Sequence, residues 1–221
     1  MPVPYPYNLV GVEVSPILAP EYSSTRPGYI SLAEDSPYIN QIAGKSQQEL
    51  DGIISEIHRE QGVTWSLSGN RENRKALYVD SPTISGEGRT VHLGVDLNVS
   101  AGTPVFAPLS GEVVVSEHEA GQGTFGAMVV MKVELGGSIF YMQFAHLDTA
   151  SLPKLGTKIE RGEQVGIVGE YDVNGNFFEH LHFQVLTQLG FEKGFQYKGL
   201  CRPEDMATIN DFIPDPMALI R

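Results

Sequence analysis

The chain has 221 residues, 15 of them basic and 27 acidic, for a formal net charge of −12. That balance offers no basic stripe for nucleic acid and no attraction to an anionic membrane surface. The single cysteine, Cys201, excludes an intramolecular disulfide scaffold and fits a reducing compartment. The length is enough to bury a sizeable core without staples.

The chain starts MPVPYPYNLVGVEV, with no basic leader and no continuous apolar stretch. The reading therefore expects no signal peptide, no integral membrane segment and a cytoplasmic location. A periplasmic or secreted location would require a leader already removed. Residues 1–45 are rich in Pro, Tyr and Ser without a sustained period, and read as an extended, wrapping segment. The stretch SQQELDGIISEIHRE, about 46–60, predicts the one clear helix. Ser46 and Glu49 have capping-box spacing. Leu50, Ile53, Ile54 and Ile57 form one apolar stripe. His58 lies beside that stripe near the helix end and reads as a solvated residue that complements the helix dipole.

From Trp65 onward, short β-rich runs alternate with Gly and Pro: VHLGVDLNV, TPVFAPL, GEVVVSEH, GAMVVMKVEL, SIFYMQFAHL, EQVGIVG and HLHFQVL. No strand–helix alternation appears, so a parallel α/β sheet is excluded in favour of a mainly β fold. The expected architecture is an antiparallel β-sandwich or open-barrel groove with one N-terminal amphipathic helix and extended termini. The expected divisions are an N-terminal extension at 1–75, a β domain at 76–190 and a C-terminal tail at 191–221. That tail packs back as irregular structure with at most one helical turn.

Three groups could carry chemistry. The first is HLGVD, with His92 and Asp96. A straight strand would hold these two about 13 Å apart, too far for one ion. Both can bind a metal only if the chain bends at Gly94, as glycine permits; otherwise they are an edge-strand His and a turn Asp. The second group is His180-Leu181-His182. Period 2 puts both imidazoles on one face, about 6–7 Å apart, with Leu181 and Phe183 on the other. Two buried histidines each need a partner, which makes a purely structural pair costly. The third is His146, ending the apolar run FYMQFAHLD. Two His and one Asp with an open position would suit a catalytic zinc, and two further His could move protons.

Other features read as structure. GQGTFG, residues 121–126, matches GxGxxG but precedes a strand, so a hairpin loop is expected rather than a dinucleotide site. Lys132 in VMKVE superficially suits a biotinyl or lipoyl carrier, but it falls mid-strand. Cys201 follows no nucleophile pattern and reads as a structural thiol.

Taken in order, HLGVD, GTPVFAPLSGEVV, FAHLD, GTKIERGEQVGIVG and HLHFQV are similar to the lysostaphin-type zinc metallopeptidases, which include bacterial cell-wall endopeptidases. The resemblance covers residues 88–187. It implies a β-sheet groove with one zinc ion on its floor, held by His92, Asp96 and His182, with His146 and His180 assisting catalysis. It also implies a peptide or peptidoglycan-derived substrate. The stretch GEYDVNGNFFEHLHFQV departs from the family's Gly/Ser/Thr-rich turn and places aromatic and acidic residues beside the groove. The end IPDPMALI resembles chains in which such a domain is fused to enzymes of other classes. These departures support an alternative: a metal-bound, non-hydrolytic binding or regulatory module with an intracellular role.

Overall fold

Alternating side chains make each strand two-sided, and here one side is apolar along its whole length. Val129, Met131 and Val133 share a core with Phe140, Met142, Phe144, Leu181, Phe183 and Val185. Each such large side chain contributes about 1.5–3 kcal/mol by burial. The fold is known from a computed structural model that describes residues 2–78 and 82–220, with the backbone alone at 82, 83 and 85.

In chain order the strands are β1 (Gly28–Tyr29), β2 (Ser66–Ser68), β3 (Val91–His92), β4 (Val95–Asn98), β5 (Pro104–Phe106) and β6 (Gly111–Glu119). They continue with β7 (Gly126–Leu135), β8 (Ser138–Leu147), β9 (Lys158–Ile159), β10 (Gln164–Ile167), β11 (Leu181–Thr187) and β12 (Leu200–Cys201). Among the described residues, eight form one open sheet in the order β1-β2-β4-β11-β8-β7-β6-β9. Every pairing in it is antiparallel except β1 with β2. The mainly β expectation holds, as a large open sheet rather than a closed barrel. A ribbon of β5 and β10 carries Val105 and Val165 onto the core face, and β12 pairs with β3.

The helices are α1 (Pro20–Ser23), α2 (Ile39–Ile42), α3 (Gln47–Gln61), α4 (Pro82–Glu87) and α5 (Gln188–Glu192). The long one is α3. Its capping box is formed: the Ser46 hydroxyl accepts from Glu49 N, and the Glu49 carboxylate accepts from Ser46 N. Leu50, Ile54 and Ile57 bury against Ile30, Leu32, Ile42 and, from the far side of the chain, Phe178.

Three local expectations change. His58 is not a solvated cation. It is half-buried, its Nε2 lies 2.8 Å from the Ser66 hydroxyl, and burial lowers its pKa. The first 45 residues are not wholly irregular. They supply α1, α2 and β1, and they lay Ile17 and Leu18 into the main core. Among the described residues the tail holds four 3₁₀ turns, Phe195–Tyr197, Pro203–Ala207, Ile209–Asp211 and Pro216–Leu219, and the second and fourth open on a proline, which suits the first helical position. GQGTFG does form the loop between β6 and β7, Lys132 lies within β7, and Cys201 is buried.

Candidate metal centre

The segment carrying His92 and Asp96 is broken where the sequence requires it. Strand β3 ends at His92, β4 begins at Val95, and Gly94 between them has φ 124°. A Cβ there would lie 2.8 Å from the Phe183 carbonyl and 2.9 Å from the His182 ring. Glycine is thus needed both for the dihedral and for the close approach. The bend brings His92 Nε2 to 3.1 Å from Asp96 Oδ1.

Strand β11 pairs with β4 in the register His182↔Asp96. His182 Nδ1 lies 3.1 Å from Asp96 Oδ1 and 3.0 Å from His92 Nε2. The three groups are buried, and one ligand atom from each lies within 4.8 Å of the others.

Hydrogen bonds fix which ring nitrogens carry protons. His92 Nδ1 donates to the Gly69 carbonyl at 3.0 Å, so its Nε2 presents a lone pair. For His182 the chain of reasoning starts further away. The Gln196 backbone carbonyl can only accept, so the Gln143 amide NH₂ points to it, at 2.9 Å. Gln143 Oε1 then accepts from Gln184 Nε2 at 2.9 Å, which turns Gln184 Oε1 toward His182 Nε2 at 3.0 Å. His182 therefore donates through Nε2 and presents its Nδ1 lone pair. Two imidazole lone pairs and a carboxylate oxygen converge within about 3 Å with no donor between them. That arrangement is repulsive on its own and suits a cation, and two nitrogens with one oxygen match zinc's donor preferences.

Charges around the trio agree. Burial pushes the Asp96 carboxyl up, but His92, Arg74 and His180 outweigh it and hold it well below the usual carboxylate range. Burial and the Arg74 charge hold the His92 imidazole down, against the pull of Asp96.

The remaining two histidines stand beside the trio. His180 Nε2 is 3.6 Å from Asp96 Oδ1, while its Nδ1 donates to the Phe178 carbonyl at 2.7 Å. Phe178 stacks on the ring at 4.3 Å, and burial pushes the imidazole pKa down to about 4. His146 is the extra residue where the β7–β8 register shifts, between the pairs Ala127↔Leu147 and Met128↔Ala145. Its φ is 64°, a strained backbone for a non-glycine residue, and the bulge turns its ring toward the groove. His146 Nδ1 donates to the Asn174 carbonyl at 2.6 Å, and its ring lies 4.4 Å from that of His180. Burial holds its pKa well below the ordinary value. Both histidines are thus neutral, with Nε2 unprotonated.

All five histidine and aspartate positions singled out in the sequence line one cleft of about 250 Å³. Its walls include Phe125 from the β6–β7 loop, Phe177 and Phe178 from the departure in the family pattern, and Tyr78, Ile84 and Tyr197. Sequence reasoning missed Gln143, Gln184 and Arg74. Gln184 did carry a signal, since it shares the face of His180 and His182 on an otherwise apolar strand; Gln143 did not, because period 2 sets it opposite His146 and only the bulge in β8 turns that histidine. Arg74 carried none.

Comparison with known proteins agrees with the geometry. Residues 90–192 match peptidase family M23. An uncharacterised metalloprotease of Haemophilus influenzae is 33% identical over 93 residues, 42% of this chain and 18% of that protein. The peptidoglycan DD-endopeptidase ShyA of Vibrio cholerae is 27% identical over 125 residues, 56% of this chain and 25% of that protein. A solved zinc-containing peptidase from Vibrio cholerae is 28% identical with a TM-score of 0.38, covering 45% of this chain and 28% of that one. The chain spans about a fifth to a quarter of the length of the two curated relatives. Through residues 90–192 the chain is similar to peptidase family M23, whose lysostaphin-type members its sequence blocks resemble.

Proposed function

We propose that the chain is a zinc-dependent metalloendopeptidase that hydrolyses a peptide bond, with peptidoglycan cross-links as its substrate class. The observation that carries this reading is the convergence of three lone-pair donors, His92 Nε2, Asp96 Oδ1 and His182 Nδ1, beside two neutral histidines. The substrate class rests on the family and on the named activity of the Vibrio cholerae relative.

His92, Asp96 and His182 hold the ion. Zinc bound there supplies Lewis acidity toward a water and a scissile carbonyl. The rest is the work of the chain. His146 and His180 each keep their proton on Nδ1, tied to a backbone carbonyl, so each offers an unprotonated Nε2. One Nε2 accepts the proton of the attacking water, and the imidazolium so formed stabilises the developing oxyanion and delivers that same proton to the leaving amine; the other Nε2 accepts a hydrogen bond from the water and orients it. Phe125, Phe177 and Phe178 exclude bulk water from these nitrogens and strengthen the local electrostatics.

The test is metal content and turnover in parallel. Wild-type protein should carry one zinc per chain and His182→Ala should lose it. His146→Ala and His180→Ala should keep zinc and lose about 10²–10⁴-fold in cleavage rate of murein peptides. Full activity in both variants defeats the mechanism. Zinc with saturable binding and no turnover across a panel of murein and unrelated peptides assigns the chain to the non-hydrolytic module instead.

A further inference from the structure

The two oxygens of Asp96 have different company. Oδ1 faces the two imidazoles, whereas Oδ2 accepts from Arg74 Nη1 at 2.6 Å. Arg74 is 2% exposed, a buried cation in the wall of a site built for another cation. Such a group persists only when it is well paired. Its second partner is Glu72: Arg74 Nε donates to Glu72 Oε2 at 3.1 Å, and Nη2 lies at the same distance from that oxygen. Glu72 is itself fixed, accepting from the Tyr29 hydroxyl at 3.0 Å and from Leu32 N at 3.3 Å. The backbone of this stretch is tied to β3. His92 N donates to the Glu72 carbonyl, Arg74 N donates to the Thr90 carbonyl, and Asn73 bridges Val91. A continuous set of contacts therefore runs from β1 through Glu72 and Arg74 to Asp96. All of it before Thr90 lies outside the segment matched by the family.

We propose that Arg74, anchored by Glu72, is a positioning residue that makes Asp96 a one-oxygen donor. This rests on the metal reading above. A carboxylate with both oxygens free can grip an ion through both and use up a coordination position. Here a charge-assisted bond occupies Oδ2 and fixes the plane of the carboxylate. Only Oδ1 faces the imidazoles, which leaves the remaining position to water and substrate. A plain structural role for the ion pair predicts that its loss changes stability alone.

The two roles separate spectroscopically. The full chain is loaded with one Co(II), and its d–d absorption per bound cobalt is measured; that intensity falls as coordination number rises from four. The variant pair Glu72→Gln/Arg74→Met removes both charges and leaves no lone buried carboxylate at position 72. Its intensity should fall at equal cobalt occupancy, and in Arg74→Lys, which keeps a cationic donor, it should return toward the wild-type value. A wild-type spectrum in the double variant overturns the proposal, whatever happens to the melting temperature. Should the double variant not fold, Glu72→Gln alone, which keeps Arg74 but loosens it, should show a smaller loss; an unchanged spectrum there overturns the proposal equally. A wild-type chain that takes up no cobalt fails at the prior step and overturns the metal reading on which the proposal rests.

Discussion

A histidine that offers Nδ1 to a metal must keep its proton on Nε2, and something there must accept it. For His182 that acceptor is Gln184 Oε1, oriented by Gln143, which is oriented in turn by a backbone carbonyl. Removing the acceptor changes more than one bond. In Gln184→Met the Nε2 proton has no partner, while Nδ1 still lies 3.1 Å from Asp96 Oδ1. The favoured tautomer then carries its proton on Nδ1, where it donates to Asp96 and withdraws both groups from the metal. Zinc affinity should fall by about 10–100-fold. Competition against a chromophoric chelator measures it, and an unchanged dissociation constant refutes the tautomer argument. The same contrast explains what could be read from the sequence at this scale. His92 with Asp96, and His180 with His182, declare themselves by short spacing. Gln143 and Gln184 meet only because β8 and β11 pair in one register, and Arg74 meets Asp96 because the backbone of residues 72–74 is bonded to Thr90–His92.

Among the elements, α3 links the N-terminal region to the site. Its apolar stripe buries against Phe178, and Asp51 Oδ1 accepts from Glu179 N at 2.6 Å. Phe178 in turn stacks on His180. The helix and the longer strands were legible because their periods, 3.6 and 2, repeat over enough residues to stand out. Strands β1 and β2 were not, being two and three residues long and defined by pairing rather than pattern. That pairing is also why His58 departs from expectation: β2 presents Ser66 to it. Burial lowers the folded-state pKa of His58 below 6.5. Protonation therefore favours the unfolded chain. The stabilisation is fully present above pH 6.5 and is lost as pH falls below that value toward the folded-state pKa. In His58→Gln the amide keeps a bond to Ser66 but cannot titrate. The urea midpoint of the wild type should thus drop more between pH 7.5 and pH 5 than that of the variant. Parallel pH profiles for the two proteins contradict this account.

At the scale of the whole molecule, the segment that carries the family match is not a self-sufficient unit. It contains the five histidine and aspartate side chains but not what holds them. Strand β2 covers the β4 edge, and without residues before 90 that edge is bare beside Asp96. Ile17, Leu18 and Trp65 leave the main core, and Phe178 loses the helix against which it is buried. Asp96 loses Arg74, leaving a buried carboxylate with no cation unless a metal is bound. Breaking one buried ion pair costs about 3–5 kcal/mol, and an unpaired strand edge invites association with other chains. These losses compare with the entire stability of a domain, about 5–15 kcal/mol. A fragment of residues 90–192 should therefore lack a cooperative thermal transition and aggregate, whereas the full chain melts cooperatively. Zinc should rescue the fragment only in part, because it replaces the Arg74 charge but not the β2 edge or the buried apolar surface. Calorimetry on both proteins, with and without zinc, decides the matter. A fragment that melts cooperatively without metal would show that the N-terminal region is an accessory rather than a structural half of the site.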